Sequence, residues 1–326
     1  MKNILESMDK IRPLLKYILP VFSLLVLAVV LTILHRALAG YHLRDVYLQL
    51  REIPVSTITL ASLMSLASYL VLSCYDLLAL RYVNQSVKVW RAMLAGFLSF
   101  AVGHNVGYST LSGAAIRLRI YGAVGVPVTA VALMSGFCGV TTALGSTFLI
   151  AYVLLTQAAE ATVLLHISTV MLHTAGSALM ILLLAYCVWV SRQLKPLQIR
   201  QWKLKLPGIR LTVLQIVVAA LDLCLAAACL YVLLPGPVVV SYQTFLAIYV
   251  LTLATVLVAN VPGGLGVLES VIVLALPQLP VDRLLASLVA FRIIYYLCPL
   301  ILAALSLAVN ELWLHRHRAN RVTLSN

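Results

Sequence analysis

The chain is written in long apolar runs joined by short polar connections. Runs dominated by Leu, Ala, Val and Ile cover about residues 17–38, 54–80, 92–111, 127–156, 163–190, 211–234, 242–261 and 284–313, and a shorter one covers about 265–280. A helix needs roughly 20 apolar residues to cross the hydrocarbon of a bilayer, and most of these runs are that long. Period-two alternation is weak, which argues against a β-barrel. The pattern predicts an all-α, polytopic transmembrane helical bundle.

Composition agrees. Hydrophobic residues make up 63% of the 326 and charged residues 10%, where soluble domains hold about half and about a quarter. The apolar run near the N-terminus is too long for a cleavable signal, and His35 and Arg36 interrupt it before Ala37-Leu38-Ala39, so it reads as an uncleaved signal anchor. The six cysteines all fall in apolar runs without metal-ligand spacing, the pattern of small apolar helix residues. The stretch Tyr41–Glu52 alternates charged and apolar positions. It reads either as an amphipathic helix on the interface or as an exposed loop.

The net charge of +13 would suggest nucleic acid in a soluble protein. Here the basic residues sit between spans, where positive-inside bias accounts for them, and no nucleic-acid partner is expected. They cluster in the N-terminal tail (Lys2, Lys10, Arg12, Lys16), at Arg81, Lys88 and Arg91, at Arg117 and Arg119, along 191–210, and in the C-terminal tail. If all five clusters are cytoplasmic, both termini are cytoplasmic too, and the segment 92–126 must enter the membrane and return. The same holds for 241–280. Each of these segments carries a break, Gly103-His104-Asn105-Val106-Gly107 and Ser112-Gly113 in the first and Asn260-Val261-Pro262-Gly263-Gly264-Leu265-Gly266 in the second. Irregular backbone at membrane depth is tolerated only inside protein or against a wet cavity. The reading is therefore about six full spans plus two re-entrant segments in one transmembrane domain, 1–326, with inverted halves 1–156 and 157–326. Interrupted helices at matching places in two halves point to a transporter site.

Ionisable groups inside a membrane are costly and usually face an interior. Glu269 opens the half-helix after the second break, where the helix dipole favours a carboxylate; Arg292 lies in the last span. The two either relieve each other's charge or form a gate or headgroup site. Arg117, Arg119 and Tyr121 follow the first break and suit phosphate contact, or anchor the segment on the positive side. Asp76 is a proton-coupling carboxylate or the partner of a neighbouring Arg; Asp222, His104 and Asn105 are further polar groups within the spans. Tyr295 and Tyr296 follow Arg292, and Asn260, Gly263 and Gly264 precede Glu269. His166 and His173 are weaker candidates. No nucleophile, metal or dinucleotide motif is present in the sequence, so neither an enzyme nor a cofactor or metal is expected.

Four runs carry a resemblance: Cys74-Tyr75-Asp76-Leu77-Leu78-Ala79, Arg117-Leu118-Arg119-Ile120-Tyr121, Pro262-Gly263-Gly264-Leu265-Gly266-Val267-Leu268-Glu269 and Ala290-Phe291-Arg292-Ile293-Ile294-Tyr295-Tyr296. Together they resemble the lysylphosphatidylglycerol-synthase transmembrane family, in particular its stand-alone inner-membrane members. In two-domain members of that family the membrane part resembles a phospholipid flippase and a separate soluble domain makes the lipid. This sequence stops soon after its last span, so the resemblance implies lipid transport without synthesis, in a bacterial inner membrane, with membrane phospholipids as partners. The alternative is a non-transporting scaffold for a phospholipid-synthesis enzyme. The resemblance does not specify the lipid or the oligomeric state.

Overall fold

The computed structural model describes residues 48, 50–106, 109–165, 167–192, 197–199, 202–204, 206–236, 240–259 and 266–307. The expected first span at 17–38, most of 41–52, the Asn260–Leu265 break and the C-terminal tail lie outside them.

Ten helices are described: α1 (Val55–Tyr82), α2 (Val89–Val106), α3 (Ser109–Gly122), α4 (Val128–Thr156), α5 (Ala158–Leu165), α6 (Thr169–Arg192), α7 (Ile209–Leu233), α8 (Tyr242–Ala259), α9 (Val267–Ala275) and α10 (Val281–Leu307). Five of them, α1, α4, α6, α7 and α10, are long and apolar enough to cross a membrane. The run expected at 163–190 begins instead in the short α5 and breaks before α6. A small antiparallel hairpin pairs Leu197–Ile199 with Trp202–Leu204 inside the basic 191–210 connection. It is the only strand pairing among the described residues.

Proline sets the starts of three long helices. Pro54, Pro127 and Pro280 stand immediately before α1, α4 and α10. A helix start has backbone N–H groups without intrahelical partners, so a residue with no N–H and a fixed φ loses nothing there. At the other end of α1, Asn84 adopts φ 52, a left-handed conformation that Asn tolerates and that closes a helix.

The faces of α1 are sorted as lipid solvent requires. Leu63, Leu66 and Leu70 are exposed, while Ala61, Ser65, Ser68, Tyr69, Ser73 and Asp76 turn inward. Small and polar residues inside, with large apolar ones outside, are the usual sorting where lipid removes the hydrophobic drive between helices. The inner face of α1 packs on α7, which buries Gln215, Ala219, Asp222, Ala226 and Cys229. Gln215 Nε2 donates to Thr141 Oγ1 at 2.7 Å and ties α7 to α4.

The element order repeats. Long, short, short, long helices start at Val55, Val89, Ser109 and Val128, and again at Ile209, Tyr242, Val267 and Val281. The packing repeats as well: α4 lies on α7 as α10 lies on α1, and α8 touches α4 as α2 touches α10. The two short helices of each set lie against each other. In the first pair, Ser99 Oγ of α2 donates to the Gly113 carbonyl of α3 at 3.2 Å. These pairs stand where returning segments are expected, but residues 103–106 and Ser112-Gly113, expected as breaks, lie within α2 and α3.

Close approach depends on glycine. A Cβ at Gly145 of α4 would sit 2.2 Å from Ala219 Cβ and 2.9 Å from the Ala219 carbonyl carbon of α7. Gly145→Leu should therefore force α4 and α7 apart and cost about 1–3 kcal/mol. Fluorescence-detected thermal unfolding in detergent checks it, with Gly122→Ala, which meets nothing within 4 Å, expected to melt close to wild type.

Candidate functional site

Three groups of polar side chains lie inside the bundle. In the first, Arg117 Nε donates to Asp76 Oδ1 at 3.0 Å and Oδ2 at 3.1 Å, and Nη2 donates to Oδ2 at 2.7 Å. Tyr121, one turn along α3, donates its hydroxyl to Asp76 Oδ1 at 2.9 Å. Asp76 is 0% exposed and Arg117 2%. Arg is suited to this two-pronged contact, and the guanidinium also lies 5.2 Å from the Phe100 ring centre. Gly96 lets α2 come this close: a Cβ there would meet Ser73 Cα at 2.8 Å and Asp76 Oδ2 at 3.2 Å. The partner of Asp76 is thus Arg117, not the nearer Arg81. Arg119, half-buried two residues on, lies on another face of α3.

In the second group, Glu269 and Arg292 meet: Arg292 Nε donates to Glu269 Oε1. Gly266, at φ 79, takes a left-handed backbone conformation at the start of α9, and its N–H donates to Glu269 Oε2 at 2.9 Å. The carboxylate therefore answers one of the N-terminal amide groups while holding the arginine. This pair is less enclosed than the first, with side chains 13% and 14% exposed. Arg292 lies 5.8 Å from the Tyr296 ring centre. Asn260, Gly263 and Gly264, expected beside this pair, fall outside the described residues.

The third group joins them. Arg292–Leu297 of α10 winds as a π helix. Such turns loosen the i→i+4 ladder and occur often at functional sites. Three successive carbonyls of this turn accept side-chain hydrogen bonds from neighbouring helices. Ser65 Oγ donates to Ile294 O at 3.2 Å, Tyr69 hydroxyl to Tyr295 O at 3.1 Å, and Asn105 Nδ2 to Tyr296 O at 3.2 Å. Asn105 also donates to Ala101 O at 2.8 Å. The Tyr295 hydroxyl shares a 2.8 Å hydrogen bond with Ser68 Oγ, which donates to Asp222 Oδ1 at 2.5 Å. His104 lies among Tyr69, Phe100, Tyr295 and Tyr296, at ring-centre distances of 6.2, 5.9, 6.3 and 6.3 Å. A run of aromatic contacts thus leads from Arg117 through Phe100 and His104 to Tyr296 and Arg292.

Of the residues singled out in the sequence, the structure joins Asp76, Arg117 and Tyr121 in one cluster. It joins Glu269, Arg292 and Tyr296 in a second, and Asp222, Tyr295, His104 and Asn105 around the π turn. His173 stands apart on a shallow groove along α6, with Thr174 and Ser177. His166 is outside the described residues. Among those described, no three His, Cys, Asp or Glu side chains converge as metal ligands would. Sequence reading missed Ser65, Ser68, Tyr69 and Phe100. Ser68 and Asp222 do carry one signal: each sits at the same distance from the start of its helix, α1 or α7.

No family model matches the chain. Individual relatives do. An uncharacterized protein of Synechocystis, slr0712, is 35% identical over 258 residues, covering 77% of this chain and 78% of that protein. The inner membrane protein YbhN of Escherichia coli K12 is 26% identical over 242 residues, 72% of this chain and 74% of its own. The phosphatidylglycerol lysyltransferase of Staphylococcus aureus strain MRSA252 is 23% identical over 313 residues, 91% of this chain but 34% of the enzyme.

The ion pair inside the bundle yields a stability prediction. Asp76→Ala leaves Arg117 buried without a counter-charge and should cost about 3–5 kcal/mol. Asp76→Leu combined with Arg117→Met should recover much of that loss. Unfolding midpoints of Asp76→Leu, Arg117→Met and the double variant, read as a double-mutant cycle, check the coupling.

Proposed function

This chain belongs to the YbhN-type branch of the lysylphosphatidylglycerol-synthase transmembrane family, and from that membership we propose that it moves phospholipid between the leaflets of the membrane it spans. The observation that carries the reading is the Glu269–Arg292 pair. Opposite charges stand side by side at the start of a short helix that follows a glycine-rich break, and they are less enclosed than the Asp76–Arg117 pair. A phospholipid headgroup can exchange with such a pair charge for charge. Its phosphate takes the Arg292 guanidinium, for which Arg is well shaped. An amine or hydroxyl on the headgroup takes Glu269, which keeps its hydrogen bond from the Gly266 N–H. The Staphylococcus aureus relative is a phosphatidylglycerol lysyltransferase, and its match to this chain is confined to about a third of its length.

In this reading Arg117, with Tyr121, is the anchor that holds the α2–α3 pair in place, because Asp76 occupies its guanidinium. Tyr295 and Tyr296 form the floor below the headgroup. The two sets of helices act as inverted halves whose relative rocking passes the lipid from one side to the other. The basic clusters support a reading with both termini in the cytoplasm of a multi-pass protein of the bacterial inner membrane. The protein carries its lipid without altering it covalently.

Reconstitution into vesicles with fluorescent phospholipids of several headgroups tests the proposal. Wild type should speed transbilayer movement of at least one class. Removing one charge-assisted contact is worth about 1.5–3 kcal/mol, so Glu269→Gln and Arg292→Gln should each slow movement about 10- to 100-fold. Folded wild-type protein that moves no phospholipid class contradicts the reading. A scaffold for a lipid-synthesis enzyme would behave that way and would still capture its enzyme after both substitutions.

A further inference from the structure

The bundle encloses two carboxylates with opposite surroundings. Asp76 receives three N–H···O contacts from Arg117 and one hydrogen bond from Tyr121, and it is fully buried. Asp222, 5% exposed, receives one hydrogen bond, from the Ser68 hydroxyl. Among the described residues no Lys, Arg or His forms an ion pair with it. The ionisable side chains around it are tyrosines and a cysteine, Tyr69 and Tyr75 from α1, Tyr249 from α8, Tyr295 and Tyr296 from α10, and Cys224 on its own helix, with His104 of α2 beyond Tyr69 and Tyr295. An ionised carboxylate with one hydroxyl partner in such a place is poorly compensated, and a neutral carboxylic acid fits it.

We infer that Asp222 is a proton-binding site, and that its protonation is coupled to lipid movement by the hydrogen bonds of Ser68 and Tyr295. The inference rests on the transport reading given above and adds the coupling ion to it. Its geometry is a three-member chain running from Asp222 Oδ1 to Ser68 Oγ at 2.5 Å and on to the Tyr295 hydroxyl at 2.8 Å. With Asp222 ionised, Tyr295 donates to Ser68 and Ser68 donates to the carboxylate. When a proton arrives from water and forms an O–H bond on Asp222, the carboxyl becomes the donor. Ser68 then turns its own proton toward Tyr295, and the direction of both bonds reverses. No other bond is made or broken, and the same proton leaves to water when the cycle resets.

The reversal ends in the π turn. Tyr295 must then find another acceptor for its hydroxyl, and Tyr295 lies in the same turn as Arg292. The turn's carbonyls are held by Ser65, Tyr69 and Asn105, so a shift of Tyr295 is passed to the turn as a whole and to the Glu269–Arg292 pair. Ser68 and Asp222 link α1 to α7, which pack together. A charge change at that link acts between the two repeated sets of helices. Asp76 is unsuited to the same task, because protonating it would leave Arg117 stranded.

The test uses the full-length protein in phosphatidylethanolamine–phosphatidylglycerol vesicles with an imposed pH difference, and the same protein in detergent for infrared spectroscopy. With one proton per lipid, a difference of one pH unit should shift the ratio of inward to outward lipid movement by up to about tenfold in wild type. Asp222→Asn should make that ratio independent of the pH difference, and Ser68→Ala should blunt it. A wild-type ratio that ignores pH, or an Asp222→Asn ratio that follows it as wild type does, overturns the proton site and leaves lipid movement standing. The infrared measurement is independent of transport. A protonated-carboxyl stretching band present in wild type and missing from Asp222→Asn supports the site, and identical bands in both overturn it. If wild type moves no lipid, the transport reading fails and this band still decides whether Asp222 binds a proton. If only Asp222→Asn is inactive, the band decides likewise.

Discussion

The bundle is organised by the ion pair between Asp76 and Arg117. An isolated charge in hydrocarbon is very costly, so each partner needs the other. Because they lie on α1 and α3, pairing them requires the chain to turn back after α2. Tyr121 supplies a further donor to the carboxylate, and Gly96 provides the space in which α1 and α2 close over it. The position of α2 that results places His104 and Asn105 beside the last helix. The buried pair thus sets the geometry in which the π turn can be held.

That turn is a second answer to the same constraint. Backbone groups inside a membrane must find partners within the protein. The π segment of α10 finds them in Ser65, Tyr69 and Asn105, each from α1 or α2. The result is a locally irregular helix fixed in one arrangement, with Arg292 at its start, Tyr295 linked to Asp222 through Ser68, and Tyr296 under the guanidinium. The first pair of charges is sealed; the second is open by comparison. Under the proposed transport reading this asymmetry would give the two short-helix pairs different tasks, one as a fixed frame and one as the place where a headgroup enters.

Much of this was legible in the sequence, and the exceptions have physical reasons. Long apolar runs specify spans through hydrophobicity alone, so α1, α4, α7 and α10 were foreseeable, whereas residues 103–106 and Ser112-Gly113, expected as breaks, are helical because packing overrides a weak local propensity. Glu269 and Arg292 could be matched because a carboxylate just after a glycine break has a defined position at a helix start. The partner of Asp76 could not be chosen: Arg117 is 41 residues along the chain, and distance in sequence carries no information once a hairpin intervenes. The π turn is equally silent, since Arg292-Ile293-Ile294-Tyr295-Tyr296-Leu297 contains no helix breaker and its cause lies in donors from other helices. Ser68 was overlooked as a small residue on a helix face, although its register matches that of Asp222.

The central claim is that the Glu269–Arg292 pair receives a phospholipid headgroup. Native mass spectrometry of the purified protein tests it most directly. The account predicts a phospholipid that remains bound to wild type and is lost from Arg292→Gln at equal folded abundance. A wild-type protein that carries no phospholipid, or a variant that holds the same lipid to the same extent, would contradict it.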